Sequence, residues 1–223
     1  MPETSPLRSH DLHELCQIDE RQLRKELVSD EADNQRIRVA QVPDVETMRW
    51  HHAREEFVAD EMLDRKPDIK GAIAVDSTGR RAWCIWTRMW SGEDAAPGPT
   101  STLYILRLVF EQSRNVKGTP EDSPRAGQCE TLAAALLLAA RREAAFWQMD
   151  EVHIWNPSSV VQAAARRLAR LLPESLRGEN AGIIHREDDS ITCLNWDSSG
   201  YPTLAGKTWS DVDWVANEKF AWC

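Results

Sequence analysis

The chain has little of several things that sort proteins quickly. It has no long hydrophobic run: the longest stretch without a charge around its Ala/Leu-rich segment is Thr131 to Ala140. That is well short of the roughly 18 apolar residues a membrane span requires, so no helix is expected to cross a bilayer. The opening residues, Met1-Pro2-Glu3-Thr4-Ser5-Pro6, lack the basic start and apolar stretch of a secretory signal, and a cytoplasmic location is expected. Cysteine is sparse: Cys16, Cys84, Cys129, Cys193 and Cys223 are scattered, odd in number and without a CxxC, which fits reduced thiols and gives no zinc-ligand spacing. Positive charge is in deficit, 27 Lys and Arg against 36 Asp and Glu, a formal net charge of −9. Such a balance argues against a nucleic acid as partner, because affinity for phosphate backbones needs clustered positive charge. Tyr occurs only twice, at Tyr104 and Tyr201, and no Ser/His/Asp triad, Walker loop or HExxH emerges.

What is present is apolar bulk. A 42% hydrophobic fraction and ten Trp exclude a disordered chain, since those rings need a core or a ligand site to cover them. At 223 residues, one domain can bury roughly 70% of its unfolded surface. We expect a disordered N-terminus over 1–10 and a single domain over 11–223.

Asp11 to Val28 returns Leu12, Leu15, Ile18, Leu23 and Leu27 at three- and four-residue steps, which predicts an amphipathic helix. Arg36 to Val42 alternates charged and apolar residues like a half-buried strand, and Pro43 stops it. Asp44 is a candidate N-cap for a long helix to about Leu63. Gly71 to Val75 and Arg81 to Trp90, joined through Asp76-Ser77-Thr78-Gly79, read as an antiparallel hairpin. Leu103 to Phe110 is an almost continuous apolar run, the pattern of a central strand covered on both faces. A polar loop over 112–127 precedes an Ala/Leu-rich helix, Cys129 to Met149. A short strand, Val152 to Trp155, and a helix, Val160 to Leu172, follow. Strand, helix, strand, helix predicts a βαβα unit with parallel strands. Ala181 to His185 and Ile191 to Asn195 read as two short strands, and the Trp-bearing tail is expected to pack back on the domain.

This order resembles the GCN5-related N-acetyltransferase (GNAT) fold: an α/β (α+β) architecture with a mixed, mostly antiparallel central sheet and helices on both faces. The words Asp44-Val45-Glu46-Thr47-Met48-Arg49-Trp50-His51-His52-Ala53-Arg54-Glu55-Glu56-Phe57, Trp83-Cys84-Ile85-Trp86-Thr87-Arg88-Met89-Trp90 and Leu103-Tyr104-Ile105-Leu106-Arg107-Leu108-Val109 are similar to the C-terminal domain of fungal lysine N-acetyltransferases of lysine catabolism. The similarity covers most of the chain, from about Leu12 onward. In that family a larger protein carries an acetyltransferase-like half ahead of this region. The resemblance thus implies transfer of an acetyl group from acetyl-CoA to the side-chain amine of free lysine, by a protein of which this is the second half. A small amine such as lysine, and a second acetyltransferase-like domain or partner chain, are the implied partners.

A GNAT site needs backbone N–H groups at a helix N-terminus for the cofactor pyrophosphate. The matching place reads Pro124-Arg125-Ala126-Gly127-Gln128-Cys129-Glu130, with one Gly and an added negative charge at Glu130, an atypical loop. Arg125, Gly127 and Gln128 are therefore candidates for anion binding or for an ordinary capped helix start. Glu111, at the end of the central strand, is the candidate base, against a reading as a solvated strand-end carboxylate. Asn156 sits where many acetyltransferases place an Asn near the pantetheine arm, though Asn-Pro is also an everyday turn. Trp86, Arg88 and Trp90 share one strand face by the two-residue period, and that face is a candidate recognition surface for a cationic stem, with Arg107 as a further substrate contact. His51, His52, Glu55 and Glu56 have helical spacing that permits a metal, but with no second cluster we expect structural histidines and no metal. Three roles remain: a half contributing substrate recognition or domain packing, a self-sufficient N-acetyltransferase, and a non-enzymatic interaction module.

Overall fold

The computed structural model describes residues 1–28, 37–91, 101–111, 126–171, 182 and 212–222. The strands expected over 181–185 (apart from Gly182) and 191–195, most of the loop over 112–127, and Arg125 lie outside them.

Helix α1 spans Leu12–Leu27 and α2 spans Val45–Leu63. The Asp44 side chain caps α2 by accepting from the Thr47 N–H at 2.7 Å, which satisfies one of the orphan donors of the first turn. Strands β3 (Gly71–Val75) and β4 (Arg81–Met89) form the expected hairpin, and Gly79 takes the positive φ of 82° that its turn needs. Strand β5 is Thr102–Phe110, α3 is Ala126–Phe146, β6 is Glu151–Ile154 and α4 is Ser159–Leu171.

Two further strands depart from expectation. Thr4–Leu7 is a strand, β1, antiparallel to β3 at the sheet edge, where 1–10 reads as disordered from its sequence. An edge position asks little of its sequence: Pro6 has no N–H to contribute, and the Lys70 N–H reaches the Leu7 carbonyl at 2.8 Å. The strand expected within Arg36 to Val42 forms over Ile37–Val39, β2, and pairs in parallel with the second unexpected strand, Val212–Trp214, β7, in a sheet of its own.

The main sheet runs β1-β3-β4-β5-β6, antiparallel except for the parallel β5–β6 pair. It is the mixed, mostly antiparallel sheet expected. Alternation along β4 separates two cores. Ala82, Cys84 and Trp86 pack with Leu103, Ile105 and the Ala/Leu face of α3. Trp83 and Ile85 pack with Leu12, Leu15, Met48 and Phe220 on the other face. Both Trp83 and Trp86 are wholly buried, each stabilising the fold by roughly 4–6 kcal/mol at about 25 cal/mol per Å².

A buried ionic network ties β4 to the helices. Glu55 accepts from Lys70 Nζ at 2.9 Å and from the Arg88 backbone N–H at 2.9 Å, and also pairs with the Arg88 guanidinium. Arg88 pairs in addition with Glu143 of α3, and Lys70 with Glu56 at 2.8 Å. Lys70 and Arg88 are both about 1% exposed, so each cation depends on these carboxylates.

Candidate functional site: the cleft between β5 and β6

The parallel pairing of β5 with β6 covers only Thr102↔Glu151 to Ile105↔Ile154. β6 stops there because Asn156 turns the chain at a φ of 46° and Pro157 has no N–H to continue a ladder. On the other side of β5 the ladder with β4 skips Leu106: Ile85 pairs with Arg107 and Trp86 with Ile105. This bulge re-aims the strand. Past it, β5 runs on without β6, leaving a cleft of about 490 Å³ lined by β5, the turn after β6, α1 and the C-terminal segment.

The C-terminal segment closes one side. After β7, the Val215 N–H reaches the Val39 carbonyl at 2.8 Å, and Lys219–Ala221 form a short 3-10 turn. Phe220 is buried in the α1/α2 core, and His51 Nε2 donates to its carbonyl at 3.0 Å. That anchoring delivers Glu218 to the cleft. One of its carboxylate oxygens accepts from the Leu108 backbone N–H at 3.1 Å, and the other pairs with Arg107 Nη1. Arg107 is held from α1 by Asp19 at 2.8 and 2.7 Å, a two-pronged contact. Burial pushes the Glu218 carboxyl above its usual range despite the Arg107 charge beside it. Burial opposes the Arg107 charge, yet Glu218 and Asp19 outweigh it and raise the guanidinium's hold on its proton.

Of the residues singled out from sequence, Arg107 and Asn156 line this cleft. The Asn156 side chain donates to the Asn217 carbonyl of the C-terminal segment. Glu111 lies at the end of β5 in a two-pronged pair with Arg81, at 2.6 and 2.8 Å, and that contact holds its carboxyl below the usual range. Arg81 thus engages one lone pair on each Glu111 oxygen. Trp86 is in the core under α3, its Nε1 donating to the Ile69 carbonyl at 3.3 Å, and is no surface wall. Trp90 is half-buried, edge-on to Trp147 at 5.9 Å between ring centroids. The β4 face expected to be free for recognition is instead covered by α3, because the sheet has helices on both sides. Gly127 and Gln128 lie in the first turn of α3 and are not among the cleft's lining residues. His52 Nε2 donates to the Trp86 carbonyl at 3.0 Å, and burial, then the Lys70 charge, push its pKa down to about 3. Among the described residues no group of three His, Cys, Asp or Glu is arranged to hold a metal, and no helix is long and apolar enough to cross a membrane.

Sequence reasoning missed Asp19 and Glu218. A lone Arg107 inside an apolar strand was their signal, since a buried guanidinium requires carboxylates from elsewhere.

A mixed sheet whose parallel strand pair opens into a cleft, flanked by helices on both faces, defines a GNAT-type acetyltransferase fold. The family model for the LYC1 GNAT-like C-terminal domain matches residues 1–223, and the chain belongs to that family. No curated protein sequence matches it. Two solved structures, the wild-type and a point-mutant form of TTHA1254 from Thermus thermophilus, align at a TM-score of 0.41 with 12% and 13% identity. Each alignment covers 86% of this chain and 99% of theirs.

Proteins of this fold generally bind acetyl-CoA. The described lining of the cleft does not fit that anionic cofactor. Its charged residues are three carboxylates, Asp19, Glu26 and Glu218, against the single guanidinium of Arg107. The Leu108 N–H at the cleft is already bonded to Glu218.

Proposed function

We propose that this chain is the recognition and packing half of a lysine N-acetyltransferase-like protein, and that it does not transfer the acetyl group by itself. The observation that carries this is the Glu218 carboxylate on the Leu108 N–H and Arg107, which fills the donor-bearing end of the cleft from within the chain. The acidic lining adds to it, because a surface with excess carboxylates favours an ammonium such as that of lysine over a pyrophosphate. The cofactor loop and the base then come from a second acetyltransferase-like domain or a partner chain. Lysine breakdown in a fungal cytoplasm is the setting implied.

Acetyl transfer from acetyl-CoA to lysine by the purified chain tests this, alongside calorimetric titration with acetyl-CoA and a desulfo-CoA control for thiol chemistry. The expected result is a folded chain with neither turnover nor saturable heat. Micromolar binding together with turnover would establish a self-sufficient N-acetyltransferase instead.

A further inference from the structure

We propose that Arg107 and the Leu108 N–H form a carboxylate-binding site in the β5–β6 cleft, for which Glu218 is the resident competitor and a small monocarboxylic acid the external ligand. It rests on the reading of this domain as a recognition half and names the chemistry recognised.

The site is already shown occupied by a carboxylate. A guanidinium N–H and a backbone N–H converge on the two oxygens of Glu218, one donor to each. The backbone donor is available because β6 ends at Ile154 and leaves this stretch of β5 without a strand neighbour on that side. The guanidinium is fixed independently of its occupant. Asp19 holds its Nε and Nη2, so Nη1 stays aimed at the cleft whichever carboxylate it meets. Space for a ligand adjoins the pair, in a cavity of about 490 Å³, within the range of small-molecule sites.

The competitor sits on a strap anchored by Phe220, so exchange needs only the Glu218 side chain to give way. Glu218 lies outside the main sheet, between β7 and a three-residue 3-10 turn. Burial weakens the ionised form of its carboxyl, so the strap's hold is less favourable than two charged hydrogen bonds alone would give. The contact from Asn156 to the Asn217 carbonyl fastens the strap to the opposite wall of the cleft. Asp19 already balances the charge of Arg107, so the site offers no counter-charge for a second or third carboxylate, and a monoanion is the fitting class.

The test is chemical rescue in the full chain. Glu218→Ala removes the resident carboxylate, and sodium acetate is then titrated against sodium chloride of equal ionic strength while thermal unfolding is followed. We expect a saturable rise in Tm, roughly 3–6 °C at about ten times the dissociation constant, in acetate only. Glu218→Gln keeps the site filled by an amide and should not respond. If Glu218→Ala folds poorly, recovery of its circular dichroism in acetate but not in chloride supports the site. Equal behaviour in the two salts overturns it, as does an equal acetate response in the Arg107→Lys, Glu218→Ala double variant. These outcomes separate from the acetyl-CoA titration. Failed rescue without cofactor binding removes only the carboxylate site, whereas rescue with cofactor binding removes only the recognition-half reading.

Discussion

Glu218 accepts a hydrogen bond from the backbone N–H of Leu108 at 3.1 Å, so the far end of the chain satisfies a donor that the central strand loses when β6 turns away. A buried N–H without a partner costs about 1–3 kcal/mol, and Arg107 beside it would lose a counter-charge as well. Glu218→Ala should therefore lower stability by about 2–4 kcal/mol in urea unfolding without added carboxylate. Amide exchange at Leu108 should accelerate in the same variant. A loss below about 0.5 kcal/mol, within the range of an ordinary surface substitution, would show that the strap does not hold the cleft.

Glu55 is the shared anion of Lys70 and Arg88, both nearly unexposed. Glu55→Gln leaves each cation only its second carboxylate, Glu56 or Glu143. The expected cost is about 3–5 kcal/mol, the range for breaking a buried pair by removing one partner. A small loss would mean that water reaches the network.

His51 and His52 are both held neutral, by burial first. The unfolded chain protonates them near the ordinary histidine value of 6.5, while the folded His52 resists to about 3. Their contribution to stability is therefore complete above that unfolded value and is lost as pH falls below it, by up to about 1.4 kcal/mol per pH unit for each histidine. Urea midpoints measured across this range should decline accordingly, and His52→Gln should flatten the decline. An unchanged slope in that variant would remove His52 as a source.

Glu111 is shifted in the same direction but by a different cause, its hydrogen bonds from Arg81 lowering its pKa from 4.5. Its stabilisation is present above that value and disappears as pH falls through the lower folded one. At about 28% exposure for Glu111 and 34% for Arg81, solvent screening limits the pair to about 1 kcal/mol. Glu111→Gln should lose that much near neutral pH, and the difference from the parent should shrink steadily as the solution is acidified below 4.5. A difference that persists undiminished in acid would point to packing instead.

Much of this fold is legible because its signals are local. Asp44 ahead of an apolar-periodic run marks the start of α2, and the almost continuous apolar run Leu103 to Phe110 marks a strand buried on both faces. β1 is not legible, since four residues with a proline carry no period. Nor is the register skip at Leu106, because a run apolar on both faces but for Arg107 shows no clear change of parity when one residue is passed over. The candidate site divides in the same way. Arg107 and Asn156 are marked by type and place, but Asp19 and Glu218, which hold Arg107, and Asn217, which accepts from Asn156, come from opposite ends of the chain, and only tertiary folding joins them. Trp86 reads equally well as recognition surface or core. The helix α3 covering its face decides for core, and nothing within β4 encodes that cover.

The most direct test is to follow the Leu108 amide resonance of the ¹⁵N-labelled chain while acetyl-CoA is added. With Glu218 in place at the donor end of the cleft, the expected result is an unmoved Leu108 signal to millimolar cofactor. A saturable shift of Leu108 at micromolar acetyl-CoA, with release of the C-terminal strap, would contradict the account.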